Sequence, residues 1–174
     1  MESTEGPSTC AMASAPRRAS TAENGGGSDL AISAHDLLAR SGWTADRRVE
    51  VGHVVQFLLE QGYDVVAPFE NFATQYLGLR ITSSDGRALR FDMDEISALT
   101  DEGWCEAYGE EIGRRVTPVG GFGSHMVVLI DETGAFWGAF DPLYGYLGDD
   151  ILQVIQWTLI DPPTARKLDH RVPD

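Results

Sequence analysis

The chain is short of positive charge: 13 Lys and Arg stand against 27 Asp and Glu, a formal net charge of −14 over 174 residues. That shortage argues against the broad basic surface by which proteins hold nucleic acid or anionic membranes, and it favours encounters with basic partners. Taken by itself, the same composition serves solubility. Cysteine is scarce too, with only Cys10 and Cys105. Cys10 falls in a Ser/Thr/Ala/Gly/Pro-rich segment, so a disulfide between the two is not expected. Cys105 reads as a small core hydrophobe of a reducing compartment, and a cytoplasmic location is expected. No apolar run approaches the ~20 residues of a membrane span. Met1–Ser28 lacks aromatic residues and apolar periodicity, and it is expected to be a disordered arm. No apolar core follows Arg17-Arg18, so neither a secretory nor a twin-arginine signal is expected there.

Reactive chemistry is missing as well. His35, His53, His125 and His170 show no metal-ligand spacing. Gly120-Gly121-Phe122-Gly123 lacks the Lys-Ser/Thr of a phosphate loop and precedes a strand rather than a helix. Ser124 and His125 are neighbours, and neighbours in a strand point to opposite faces, so they do not form a nucleophile–base pair. Asp92, Asp94, Glu95, Asp101 and Glu102 fail the calcium-loop pattern, because its central Gly is absent and Ile96 stands at a ligand position. No catalytic residue, metal or cofactor is expected.

What is present is a set of helical and extended patterns that fall in groups. Leu30–Arg40, with Ser33 as its cap, Val51–Gln61 and Pro68–Leu77 carry apolar residues at helical spacing and end at Gly42, Gly62 and Gly78. Leu79, Ile81, Leu89 and Phe91 alternate with polar residues around Ser83-Ser84-Asp85-Gly86, which predicts a hairpin with one wet face. Glu95–Gly113 reads as helical with a break near Gly103. Thr117–Gly120 reads as a short extended element running into a flexible Gly-Gly-Phe-Gly segment. Met126–Ile130 is a β-branched run expected to be buried on both faces. Asp131–Gly134 turns the chain back into Ala135–Phe140. A last helix, Asp149–Leu159, presents Ile151, Leu152, Ile155 and Leu159 inward. Grouped helices and hairpins, ordered ααα-ββ-α-βββ-α, predict one α+β domain over 29–163, its central antiparallel or mixed β-sheet flanked by helices. Residues 164–174 read as a polar tail.

Glu102, Glu106 and Glu110 recur at i, i+4, i+8 on the side of a helix opposite Trp104, Tyr108 and Ile112. Each such like-charge pair costs ~0.2–0.5 kcal/mol, and no cation within the helix relieves it. Two explanations fit, an ordinary solvated face or a surface that meets a basic partner.

Several short motifs fall in a fixed order: Gly42-Trp43, Arg47-Arg48, Trp104, Pro118-Val119-Gly120, and Gly-Ser-His at 123–125. The set closes with Ile130-Asp131-Glu132, Gly134, Gly138 and Phe140-Asp141. From about Leu37 to Leu159 this order resembles the SUKH superfamily of bacterial immunity proteins, and within it the third family. The resemblance implies a non-enzymatic α+β domain that binds and neutralises a cognate polymorphic toxin, and the acidity points to a basic, nuclease-type one. A regulatory scaffold of the same fold is the alternative, and a small hydrolase is a weaker one. Candidate partner-binding residues are Glu102, Glu106, Glu110, Asp92, Asp94 and Glu95. Gly121, Phe122 and His125 join them, from a Gly-rich stretch that departs from the family pattern. The expected partner is a protein toxin, with no direct nucleic-acid or membrane contact, and the free protein is expected to be a monomer.

Overall fold

The computed structural model describes residues 32–101, 103–161 and 170–171. These belong to one compact unit; Met1–Leu30, with the segment read as a disordered arm, lies outside the described residues. The unit is α+β. Its helices are α1 (Ala34–Arg40), α2 (Gly52–Glu60), α3 (Ala67–Tyr76), α4 (Met93–Leu99), α5 (Trp104–Ile112) and α6 (Ile151–Ile155). The strands are β1 (Arg80–Thr82), β2 (Ala88–Arg90), β3 (Val116–Phe122), β4 (Met126–Asp131), β5 (Phe136–Phe140), β6 (Leu143–Gly148) and β7 (His170–Arg171). They form one seven-stranded sheet in sequence order, each strand antiparallel to the next.

β4 shows why the sheet carries helices on both faces. All six of its residues are buried. Met126, Val128 and Ile130 enter one cluster, with Leu37 and Leu38 of α1, Val54 and Leu58 of α2, Phe69 and Phe72 of α3, and Ile151, Val154 and Ile155 of α6. Val127 and Leu129 enter the other, against Cys105 and Tyr108 of α5. A period-two backbone that is apolar from Met126 through Ile130 has two apolar faces, and each needs its own layer. Each fully buried Leu, Ile or Val contributes ~1.5–3 kcal/mol relative to exposure.

Local signals place the helices. Ser33 accepts from the Asp36 amide while Asp36 reaches back to the Ser33 amide, a reciprocal cap that starts α1. Pro68 stands in the first turn of α3, where its missing N–H costs nothing. Trp43 returns onto Tyr76, rings parallel within 6° and 6.1 Å apart. Arg47 donates to the Gln75 and Leu77 carbonyls, both at 2.7 Å, satisfying backbone acceptors at the end of α3.

Four expectations need correction. Gly121 and Phe122 do not belong to a flexible loop: β3 continues through them, with Gly121 opposite both Arg90 and Val127. Close approach explains the glycines, since a Cβ at Gly120 would overlap the Arg90 carbonyl oxygen and sit 2.7 Å from Phe91 Cδ1. β6 was not foreseen, because Leu143-Tyr144-Gly145-Tyr146-Leu147-Gly148 mixes glycine with aromatics and lacks strict alternation. Part of the segment read as a tail, His170–Arg171, pairs with β6 as β7. The last helix changes into a π-helical turn over Gln156–Ile160, and Leu152 points outward, 37 % exposed, while Val154 is buried in its place. Arg87 holds that turn by donating to the Thr158 and Leu159 carbonyls at 2.9 and 3.2 Å.

Candidate partner-binding surface

α5 is framed by two glycines in left-handed conformation, Gly103 at φ 78° and Gly113 at φ 74°. The second ends the helix by directing its amide to the Gly109 and Glu110 carbonyls. The apolar side of the helix packs on the sheet. Cys105 and Tyr108 are buried, and Trp104 and Ile112 are half-buried against the same cluster. Trp104 and Tyr108 lie with ring centroids 4.3 Å apart. The opposite side leaves Glu106 and Glu110 exposed. Neither takes part in any ion pair or side-chain hydrogen bond among the described residues. Glu102, the first member of the expected stripe, lies outside the described residues.

These two carboxylates line an open groove of about 730 Å³. One wall is the turn after α2, Gln61–Asp64; the other is α5 with the start of β3 and Glu132. The turn is pinned by Thr117, whose buried hydroxyl donates to the Asp64 carbonyl at 2.6 Å and accepts from the Val66 amide at 2.9 Å. Tyr63 packs against both core clusters, so this connection bridges the two layers. The groove also has two cations, Arg114 and Arg115, and both are engaged. Arg114 donates to Asp131 at 2.8 Å and to Thr133 at 3.0 Å, and Arg115 pairs with Glu132 at 3.0 Å. Asp64, Glu106 and Glu110 therefore set the sign of the groove. Its thiol is inert: burial pushes Cys105 up to about 12, far from the thiolate range.

Behind the groove lies Asp131, expected as a turn residue and as part of the Ile130-Asp131-Glu132 motif but not as a binding candidate. Asp131 is fully buried. One oxygen accepts from the Thr133 amide (2.8 Å), the Thr133 hydroxyl (2.6 Å) and the Ala135 amide (3.1 Å). The other accepts from Arg114 and from the Trp137 indole N–H at 2.9 Å. Burial alone would raise its pKa, but these donors, led by Thr133, Trp137 and Arg114, hold it down at about 2. The Asp-x-Thr pattern of an Asx turn was the available signal. Nothing local in the sequence pointed to Arg114 or Trp137 as its partners, nor to Asp64 as part of the groove.

The remaining candidates go elsewhere. Asp92 caps α4 by accepting from the Glu95 amide at 2.7 Å. Glu95 pairs with Arg90 and lies over Gly121, where an added Cβ would meet its side chain. Asp94 alone of that group is exposed. Gly121 is buried, and Phe122 is half-buried on the first core cluster. The flexible segment expected at Gly120–Gly123 is therefore strand as far as Phe122, and Gly121 and Phe122 are paired on both sides. His125 is exposed in the β3–β4 turn, its ring 5.7 Å from Phe140, itself 42 % exposed. The expected residues thus divide among the α5 groove, the α4 cap and an aromatic pair at a hairpin end. Among the described residues, no group of three or more His, Cys, Asp or Glu could hold a metal ion.

An antiparallel meander covered by helices on both faces, with an acidic helix exposed beside a groove, defines a small α+β domain. The family model described as SUKH-3 immunity protein matches residues 32–160, and the chain belongs to that family. Membership implies immunity to a toxin. No curated protein and no solved structure matches the chain.

Proposed function

We propose that this is a cytoplasmic, non-enzymatic immunity protein that binds one basic, nuclease-type toxin of a polymorphic toxin system and neutralises it stoichiometrically. It acts as a monomer until it meets the toxin and makes no contact with nucleic acid or membrane. Family membership supplies the toxin partner. The observation that carries its basic character is the exposed pair Glu106 and Glu110, neutralised by no ion pair among the described residues. Carboxylates held apart from cations on a helix raise the local negative potential and steer a basic protein, which speeds encounter more than it tightens the final complex.

The test titrates the activity of the toxin encoded beside this gene with wild-type protein and with Glu106→Lys/Glu110→Lys, at low and high salt. Wild-type protein should abolish activity at equimolar ratio. The variant should associate at least roughly tenfold more slowly at low salt, with a flatter salt dependence. Equal association rates for both proteins at low salt would remove α5 from the interface. Toxin activity that survives excess wild-type protein would overturn neutralisation itself.

A further inference from the structure

We propose that the groove between the Gln61–Asp64 turn and α5 receives a basic polypeptide segment of the partner, seating its arginine or lysine side chains between Asp64 and the Glu106/Glu110 wall. The inference rests on the toxin-binding reading and names the part of the surface that does the recognising.

Three features of the groove lead there. Its volume of about 730 Å³ falls in the range of roughly 300–1,000 Å³ typical of ligand-binding clefts. That is room for a short run of side chains, and too much for a bare ion. The acidic groups are also spread along the walls. Among the described residues they do not converge into a group of three or more that could hold a metal. Separated carboxylates match an extended cation, above all the planar guanidinium with its several N–H donors.

The third feature is the state of the cations already present. Arg114 and Arg115 could have neutralised the groove from within, but each is committed: Arg114 to Asp131 and Thr133, Arg115 to Glu132. No basic residue stands in the last turn of α5 either. The groove thus combines an open cleft of ligand size with carboxylates that no ion pair among the described residues neutralises. Its walls include Gly62, Gly103, Gly109 and Gly113. At Gly62, Gly103 and Gly113 a Cβ would meet nothing within 4 Å, so an incoming segment can approach the main chain closely there.

Those glycines also give the experiment its readout. Uniformly ¹⁵N-labelled full-length protein is titrated with a short oligoarginine peptide, and with an oligoglutamate peptide as the charge control. Oligoarginine should produce saturable amide shifts at Gly62, Gly103, Gly109 and Gly113, and oligoglutamate should produce none. Asp64→Asn/Glu106→Gln/Glu110→Gln should weaken oligoarginine binding at least roughly tenfold, equivalent to ~1.4 kcal/mol, while amide dispersion outside the groove is preserved. Shifts that spread over the acidic surface without saturating, or an unweakened variant, would overturn the groove assignment. The toxin titration separates the two levels: neutralisation by wild-type protein with a groove silent to oligoarginine sinks this inference alone. Loss of neutralisation sinks the reading beneath it.

Discussion

Replacing Asp131 by Asn changes one atom in a fully buried side chain and tests how the domain is locked together. In the native protein three donors converge on one carboxylate oxygen and two on the other. An amide cannot serve that arrangement in either orientation, because its NH2 must face two or three donors. Leaving a buried donor unsatisfied costs ~1–3 kcal/mol, and removing one partner of a buried ion pair costs ~3–5 kcal/mol. Because Arg114 keeps contact with water, a loss of about 3 kcal/mol at neutral pH is expected, or roughly 10 °C in Tm. The pH dependence supplies a second handle. The folded-state pKa of about 2 lies below the ordinary 3.8, so Asp131 contributes stability that is complete above the unfolded value. That share is lost as pH falls through the folded one. It amounts to ~2 kcal/mol. Urea melts of both proteins at pH 7 and near pH 2.5 should therefore show the gap narrowing to ~1–2 kcal/mol in acid with an unchanged slope. A gap below ~0.5 kcal/mol at pH 7, or one that does not narrow in acid, would refute the assignment of Asp131 as the charged pivot of this network.

Two further substitutions probe the layers on either side of the sheet. Trp104→Ala should cost roughly 2–3 kcal/mol in urea melts, less than the ~3–5 kcal/mol of a fully buried ring, because Trp104 is only half-buried against Tyr108; an unchanged midpoint would show that its ring adds nothing to the core. Gly120→Ala should destabilise by about 3 kcal/mol, since the new methyl overlaps the Arg90 carbonyl and the sheet between β2 and β3 must open. A thermal melt within ~1 °C of wild type would contradict so close an approach.

Much of the fold was legible because the signals are local. Ser33 before Ala34 and the Gly residues after α1, α2 and α3 mark chain ends that depend only on neighbouring backbone. The hairpin at Asp131–Gly134 was readable for the same reason: its turn closes through Gly134, at φ 90°, whose amide donates to the Asp131 carbonyl. β6 was not legible, since Tyr144 is buried by packing against residues distant in sequence, among them Tyr108 of α5 and Val127 and Leu129 of β4. Nor was the extension of β3 through Gly121. Two glycines weaken a strand by themselves, and here β2 on one side and β4 on the other overrule that preference. Leu152 was placed inward by a helical period that the π-turn after Ile155 interrupts.

The site divides along the same line. The acidic side of α5 follows from sequence, because Glu106 and Glu110 are one helical turn apart and Cys105 and Tyr108 fix which side faces the sheet. Sequence likewise determined the charge balance and the two apolar faces of β4. Tertiary structure decided which charges are free. Asp92 and Glu95 look equivalent to Glu106 and Glu110 in the chain, yet one is spent on a helix cap and the other on Arg90. Arg114 and Arg115 look like free cations, yet both are occupied. Asp64 meets α5 across the groove only after Thr117 pins its turn. An ion pair or a shared cavity depends on where distant segments come to rest, and that position is set by packing across the whole sheet rather than by any neighbouring residue.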